Sequence, residues 1–245
     1  MGNRKVDFYV FILIINFIFA VCIISLSVIY QFRKTCMGVE VPIIGIARHR
    51  LATDGKGVTT LVAFHGCTLR CKYCLNPQSI TPDTVCRHYT PQELYETVCI
   101  DQLYFLATGG GVTFGGGEPC LRSEFIAQFR AQCGPQWQLT IETCLNVPRH
   151  HLEQLLPIID SYIVDIKELN PTIYESYTTK QNQQVIDNLY WLAEQGWCEQ
   201  VRIRVPHIPG FNTDADVDKN VELLRQWGFS NIEQFTYITS KTNKV

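Results

Sequence analysis

From residue 40 onward, short apolar runs rich in β-branched and aromatic residues alternate with longer segments whose apolar positions recur at helical spacing. The runs predict strands at 59–65, 112–114, 138–142, 161–166, 201–205 and 232–237. The longer segments predict helices at 91–107, 121–133, 148–159, 171–195 and 214–227. Two helix starts are sharply marked, because Thr90-Pro91 and Asn170-Pro171 each set a capping side chain before a proline at the first helical position. Six strands separated by five helices, with connections long enough for parallel crossovers, predict an α/β fold: a sheet wound in one direction into a partial (βα)6 barrel of the TIM type. In such a fold the loops that follow the strands converge, so chemistry is expected immediately after each strand.

The first 36 residues follow a different pattern. Residues 8–30 are 23 in a row without a charge, enough to span a bilayer core as a helix rising about 1.5 Å per residue. No small-residue cleavage site precedes Gln31. Arg4 and Lys5 stand before the stretch, and Arg33, Lys34, Arg48 and Arg50 after it, which would keep the body of the chain on the cytoplasmic side. A second reading stands beside this transmembrane anchor, that the start is mis-assigned: the sequence has two methionines, Met1 and Met37, and Met37 sits where the globular pattern begins, which makes it the alternative true start. On the first reading residues 1–36 form a separate hydrophobic segment, and on the second they lie outside the protein. Residues 37–245 are the functional domain, cytoplasmic or held at the cytoplasmic face of a membrane.

Charge narrows the partners. Residues 37–245 carry 17 Lys and Arg against 22 Asp and Glu, a net of −5, which offers no basic excess to neutralise a nucleic-acid backbone. The 11 cysteines are an odd number in a chain of 245 residues, too large to need disulfide staples, so reduced thiols are expected. Three of them crowd into Cys67-Thr68-Leu69-Arg70-Cys71-Lys72-Tyr73-Cys74, directly after the predicted strand 59–65. Three thiolates on one short loop can each ligate one iron of a cubane cluster and leave the fourth iron open. Structural zinc is the competing reading, with a fourth ligand drawn from His65 or Cys86. Cys86, Cys99, Cys120, Cys133, Cys144 and Cys198 are expected as small buried hydrophobes, and His150-His151 as a solvent-facing pair.

A second motif follows the strand at 112–114. Gly115-Gly116-Gly117-Glu118-Pro119 closes a glycine-rich stretch with a carboxylate, where backbone can approach a ligand closely. Further pairs end later strands: Glu142-Thr143, Asp165-Ile166-Lys167, and Arg202-Ile203-Arg204 ahead of Ile208-Pro209-Gly210.

Taken together, the C-x3-C-x2-C loop with Tyr73 before its last cysteine and the downstream Gly-Gly-Glu resemble the radical S-adenosylmethionine enzymes. Over residues 43–237 the resemblance is to the glycyl-radical-enzyme activases of the pyruvate formate-lyase activating type. Asp54-Gly55-Lys56-Gly57 looks like their Asp-Gly-Pro-Gly turn with Lys56 in place of the proline, and Leu75-Asn76-Pro77 flanks the cysteine loop as it does in them. The resemblance implies that Cys67, Cys71 and Cys74 hold one 4Fe-4S cluster. It implies that Tyr73, Gly116, Gly117, Glu118, Glu142, Asp165, Lys167 and Arg204 bind S-adenosyl-L-methionine, with Glu118 at the methionyl ammonium. The implied activity is reductive cleavage of that cofactor to a 5′-deoxyadenosyl radical, which takes hydrogen from a glycine of a partner glycyl radical enzyme. Flavodoxin or ferredoxin would supply the electron.

The chain also departs from this pattern. Between Leu75 and Gly115 only Cys86 and Cys99 occur, so no auxiliary cluster is expected. The chain stops eight residues after Tyr237 and its last histidine is His207, so a later cofactor-facing histidine of the pyruvate formate-lyase activator has no counterpart. Two other functions stay open on the residues alone: a radical enzyme acting on a small molecule or a ribosomal peptide, and an iron–sulfur electron carrier without catalysis.

Overall fold

Each of the six apolar runs forms a strand, and together they make the parallel part of one sheet: β2 (Val58–Phe64), β4 (Gly111–Gly116), β5 (Gln138–Thr143), β6 (Ser161–Asp165), β7 (Val201–His207) and β8 (Ile232–Thr236), each paired in parallel with the next. The central strands are buried almost throughout, as expected for a parallel sheet covered on both faces. The computed structural model describes residues 39–51 and 53–237, which belong to one unit beginning at Val39. The apolar stretch 8–30 lies outside the described residues. Among those described, no helix is long and apolar enough to cross a membrane.

Two strands went unpredicted. β1 (Val41–Leu51) lies antiparallel on β2, and the short β3 (Arg87–Tyr89) pairs with its first residues, giving the order β3-β1-β2-β4-β5-β6-β7-β8. β1 buries only Val41 and Ile43, and its far half, with Arg48, His49 and Arg50, is exposed, so it never shows the apolar signature of a core strand. The sheet keeps β3 and β8 as its two edges, which matches a partial rather than a closed barrel.

The helices are α1 (Pro91–Val98), α2 (Gln102–Thr108), α3 (Ser123–Cys133), α4 (Arg149–Leu155), α5 (Pro171–Thr178), α6 (Gln183–Glu194) and α7 (Asp214–Gln226). Thr90 closes a capping box with Glu93, and the Asn170 side chain accepts from the amides of Thr172 and Ile173, as the sequence predicts. Two predicted helices are each broken in two. The 91–107 segment is interrupted by a 3-10 turn at Cys99–Asp101, and 171–195 stops at Thr179, whose φ of 65° is left-handed. That second break leaves the carbonyls of Tyr177 and Thr178 free of helix partners, and both are used at the site below.

Aromatic packing fixes α3 on the sheet. Phe114 of β4 stacks on Phe64 of β2 with ring centres 5.6 Å apart, and meets Phe129 of α3 edge-on at 5.4 Å. We expect Phe114→Ala to lower stability by about 3–5 kcal/mol, read as an earlier midpoint in denaturant unfolding.

Candidate functional site

The cysteine loop leaves β2 at Gly66 and is tied down on two sides. On one side, Gly66 N donates to Ser79 O at 2.7 Å while Gly66 O accepts from Glu118 N at 2.8 Å. On the other, Arg70 N and Lys72 N donate to the freed carbonyls of Thr178 and Tyr177, each at 3.1 Å. Arg70 folds its guanidinium back onto Cys67 O and Leu69 O. Tyr73 is held through its hydroxyl to Pro209 O at 3.2 Å and meets Tyr177 and Phe211 edge-on.

Beside this loop, the glycine stretch at the end of β4 is demanded by contact. A Cβ at Gly117 would lie 2.0 Å from Gly66 O, and one at Gly116 would lie 2.7 Å from Ala63 Cα. These glycines let the end of β4 pass against the root of the cysteine loop, and their exposed side faces the cleft.

Glu118 is turned away from that cleft. It is 1% exposed, and its Oε1 accepts from Thr143 Oγ1 at 2.7 Å and Cys120 N at 3.1 Å. Its Oε2 accepts from Cys144 N at 2.9 Å and the Cys144 thiol at 3.0 Å. The carboxylate expected at a ligand's ammonium therefore joins β4 to the end of β5.

Two ion pairs stand at the ends of β5, β6 and β7. Arg204 reaches across to Glu142, bonds Thr53 O at 2.6 Å, and lies 3.6 Å from Glu233. Lys167, left-handed at φ 59°, donates to Asp165 Oδ2 at 3.0 Å and to the Tyr237 hydroxyl at 3.1 Å. Burial and the neighbouring Asp165 push the Glu142 carboxyl above its usual range in spite of Arg204. For Lys167 burial acts downward, yet Asp165 and Tyr237 outweigh it and hold the ammonium well above its ordinary value.

These elements enclose one cleft of about 110 Å³. All three predicted cysteines line it, with Tyr73, Gly116, Gly117, Glu142, Asp165 and Lys167, while Glu118 and Arg204 stand behind its wall. Sequence reasoning missed Ser79, Cys144, Tyr177 and Tyr237, which line it too. None of these has a local motif; the chain brings each there from another element. Asp165 Oδ1, Ser79 Oγ and the Tyr177 hydroxyl are buried at this cleft without a hydrogen-bond partner. Buried polar atoms left open in this way suit a polar ligand.

The thiols suit a cluster. Cys67, Cys71 and Cys74 are free, and among the described residues no three metal-ligating side chains converge as one coordinated ion requires. A 4Fe-4S cluster takes one thiolate per iron, and all three thiols line the same cleft. Burial pushes the Cys71 thiol up to about 11, so iron loading must displace its proton. His65, offered as a zinc ligand, instead bonds Thr81 O at 3.0 Å. Two other expectations need correction. Only Cys120 and Cys144 of the scattered cysteines are fully buried, the others being half-buried, and His151 turns inward to Ser123 Oγ at 2.8 Å.

Residues 61–224 match the model of the Radical SAM superfamily. The chain belongs to the radical SAM superfamily. Membership implies a 4Fe-4S cluster and S-adenosylmethionine, the groups that the three thiols and the open polar atoms fit. Among characterised proteins, the chain is 31% identical over 189 residues to the pyruvate formate-lyase 1-activating enzyme of Escherichia coli, covering 74% of this chain and 73% of that one. It is 28% identical over 222 residues to the (2S)-3-sulfopropanediol dehydratase activating enzyme of Klebsiella oxytoca, covering 66% and 69%. With the pyruvate formate-lyase-activating enzyme of Listeria monocytogenes it shares 32% over 160 residues, covering 61% of this chain and 64% of that one. Streptococcus suis SuiB bound to S-adenosylmethionine superposes with a TM-score of 0.56 at 13% identity over 73% of this chain and 42% of SuiB, a likeness of radical SAM fold.

The pairing of Glu142 with Arg204 sets a pH dependence. Glu142 is already harder to ionise folded than unfolded, so its contribution to stability is present at low pH and lost as pH rises through its raised pKa. Arg204→Ala removes the opposing cation and enlarges that loss. The gap in unfolding midpoint between wild type and variant is expected to widen from about pH 5 to about pH 8.

Proposed function

We propose that this radical SAM enzyme is a glycyl-radical-enzyme activase. Cys67, Cys71 and Cys74 would hold one 4Fe-4S cluster, and the remainder of the cleft S-adenosylmethionine. When bound, these groups supply reductive cleavage of S-adenosylmethionine to methionine and a 5′-deoxyadenosyl radical, which takes the α hydrogen of a glycine in the partner enzyme, with flavodoxin or ferredoxin as electron donor.

The observation that carries this reading is the meeting of the three-thiol loop with a half-satisfied Asp165–Lys167 pair in one cleft. Asp165 keeps one oxygen open, and Lys167 has three protons of which two are engaged. A free acceptor beside a free ammonium proton suits the zwitterionic end of an amino acid. Glu142 lines the cleft beside it, held from behind by Arg204, and Gly116 and Gly117 let a ligand lie against backbone. Tyr73, Tyr177 and Tyr237 would shield the reacting centre from water. Glu118 acts from behind, fixing the β5 end. The activating-enzyme relatives, matched over 64–73% of their lengths, support a protein partner. The stretch 8–30 would hold the enzyme at the cytoplasmic face of a membrane.

The test uses the full chain, reconstituted with iron and sulfide without oxygen and mixed with dithionite, S-adenosylmethionine and a glycyl radical enzyme. The expected outcome is 5′-deoxyadenosine well above a Cys71→Ala control, with a glycyl doublet in the electron paramagnetic resonance spectrum of the partner. Deoxyadenosine without any radical on any glycyl radical enzyme tried would point to another substrate.

A further inference from the structure

A second cleft, of about 270 Å³, lies where the segment before β1 meets the starts of α3 and α4. It shares no residue with the cleft that holds the cysteines. Arg122 is its cation. The guanidinium donates through Nη2 to His65 O at 3.1 Å, and a Cβ at Gly66 would meet that nitrogen at 3.3 Å, so the group is packed against the root of the cysteine loop. Its Nε is buried without a hydrogen-bond partner. Burial alone acts on its pKa, downward, with no carboxylate among the described residues to offset the desolvation.

Ser123 fixes the wall beside it. This residue is 2% exposed, and its single hydroxyl proton goes to Gln154 Oε1 at 2.6 Å, so in the 2.8 Å bond to His151 Nδ1 the ring is the donor. Burial and the neighbouring His150, whose ring centre is 4.0 Å away, hold His151 below its usual pKa and keep the ring neutral near pH 7. Its Nε2 is then an acceptor that nothing bonds among the described residues. Glu40 and Glu124, both exposed, add two carboxylates to the same lining, and Leu121 and Phe125 give it an apolar part.

We propose that this cleft binds a free amino acid with an apolar side chain: Arg122 takes the carboxylate, Glu40, Glu124 and His151 Nε2 face the ammonium, and Leu121 and Phe125 receive the side chain. The mixture of charges selects against simpler ligands. An inorganic anion would meet two carboxylates and a simple cation would meet the guanidinium, whereas a molecule carrying both charges answers both. Because Arg122 also holds His65 O, an occupant that draws on the guanidinium bears on the root of the loop that carries the three thiols.

The test is thermal unfolding of the full-length, cluster-loaded protein in detergent, without oxygen, at rising concentrations of L-leucine. A ligand that binds only the folded chain raises the midpoint by mass action. The expected result is a saturable rise. L-leucinamide, which lacks the carboxylate, and 4-methylpentanoate, which lacks the ammonium, are each expected to need about tenfold more for the same rise. Arg122→Gln should weaken leucine binding about tenfold and erase its advantage over leucinamide. Glu40→Gln combined with Glu124→Gln should erase its advantage over 4-methylpentanoate; both glutamates are exposed, so this variant tests the cleft even where Arg122→Gln fails to fold. Leucine entering the first cleft instead would depend on Asp165, and Asp165→Asn separates the two sites. A rise kept in Asp165→Asn supports the proposal. A rise lost there and kept in Arg122→Gln overturns it, as does no rise at all or an equal rise from the three compounds. None of these outcomes depends on deoxyadenosine or on a radical in a partner, so this reading and the proposed activity fail separately.

Discussion

The geometry of the cleft depends on where the Glu118 carboxylate is held. Its backbone amide bonds the carbonyl of Gly66 at the root of the cysteine loop, and its side chain gathers the Thr143 hydroxyl with the amides of Cys120 and Cys144. One residue therefore joins the ends of three neighbouring strands, β2, β4 and β5. A buried carboxylate without a cation survives only when several donors replace its water, and here four do so, counting the Cys144 thiol. The glycines ahead of it complete the constraint. Since the Cβ position at Gly117 is taken by Gly66 O, the cysteine loop and the end of β4 can approach only in the register seen.

On the far side of the cleft, Glu168 does the same for the later strands. Fully buried, it accepts from the amides of Leu169 and Asn170 and from the side chains of Asn212 and Asn220. Asn212 in turn binds Pro206 O and the Ile208 amide, locking the turn after β7. The segment after β6 and the segment after β7 are thereby one body. That body carries Lys167 next to Glu168 and, through the bond from Tyr237 N to His207 O, the tyrosine that Lys167 touches.

What the chain discloses about itself follows from these two arrangements. The central strands β4, β5 and β6 were legible because they are buried almost throughout and read as apolar runs, and β7 and β8 because β-branched and aromatic residues mark them although β8 buries none of its residues; β1 was not, because half of it faces water. The cysteine loop, the glycine pair, Glu142, Asp165 and Lys167 were legible because local spacing marks them and the fold places them at or just beyond the ends of strands. Glu118 was legible as a residue but not in its orientation, since only Thr143 and Cys144, 25 and 26 positions later, decide which way it turns. Tyr177 and Tyr237 were hidden for a related reason. The helix break at Thr179 and the far end of the chain bring them in, and neither carries a local signature. Glu168 and its asparagines gave no signal, because a hydrogen-bonded core network has no periodicity.

Rigid flanks are what allow the middle of the site to stay unfinished. Asp165 Oδ1, Ser79 Oγ and the Tyr177 hydroxyl are each buried without a partner, a condition that costs roughly 1–3 kcal/mol per group. A looser scaffold would relax until each found a donor or acceptor nearby. Here Asp165 sits between a left-handed Lys167 and a strand paired on both sides, and Ser79 sits where its own carbonyl binds Gly66 N. Tyr177 lies in a helix whose last carbonyls hold the cysteine loop. The backbone of each is held by these pairings. The open polar atoms are therefore stored in place by packing elsewhere, and a ligand that satisfies them recovers that cost on binding.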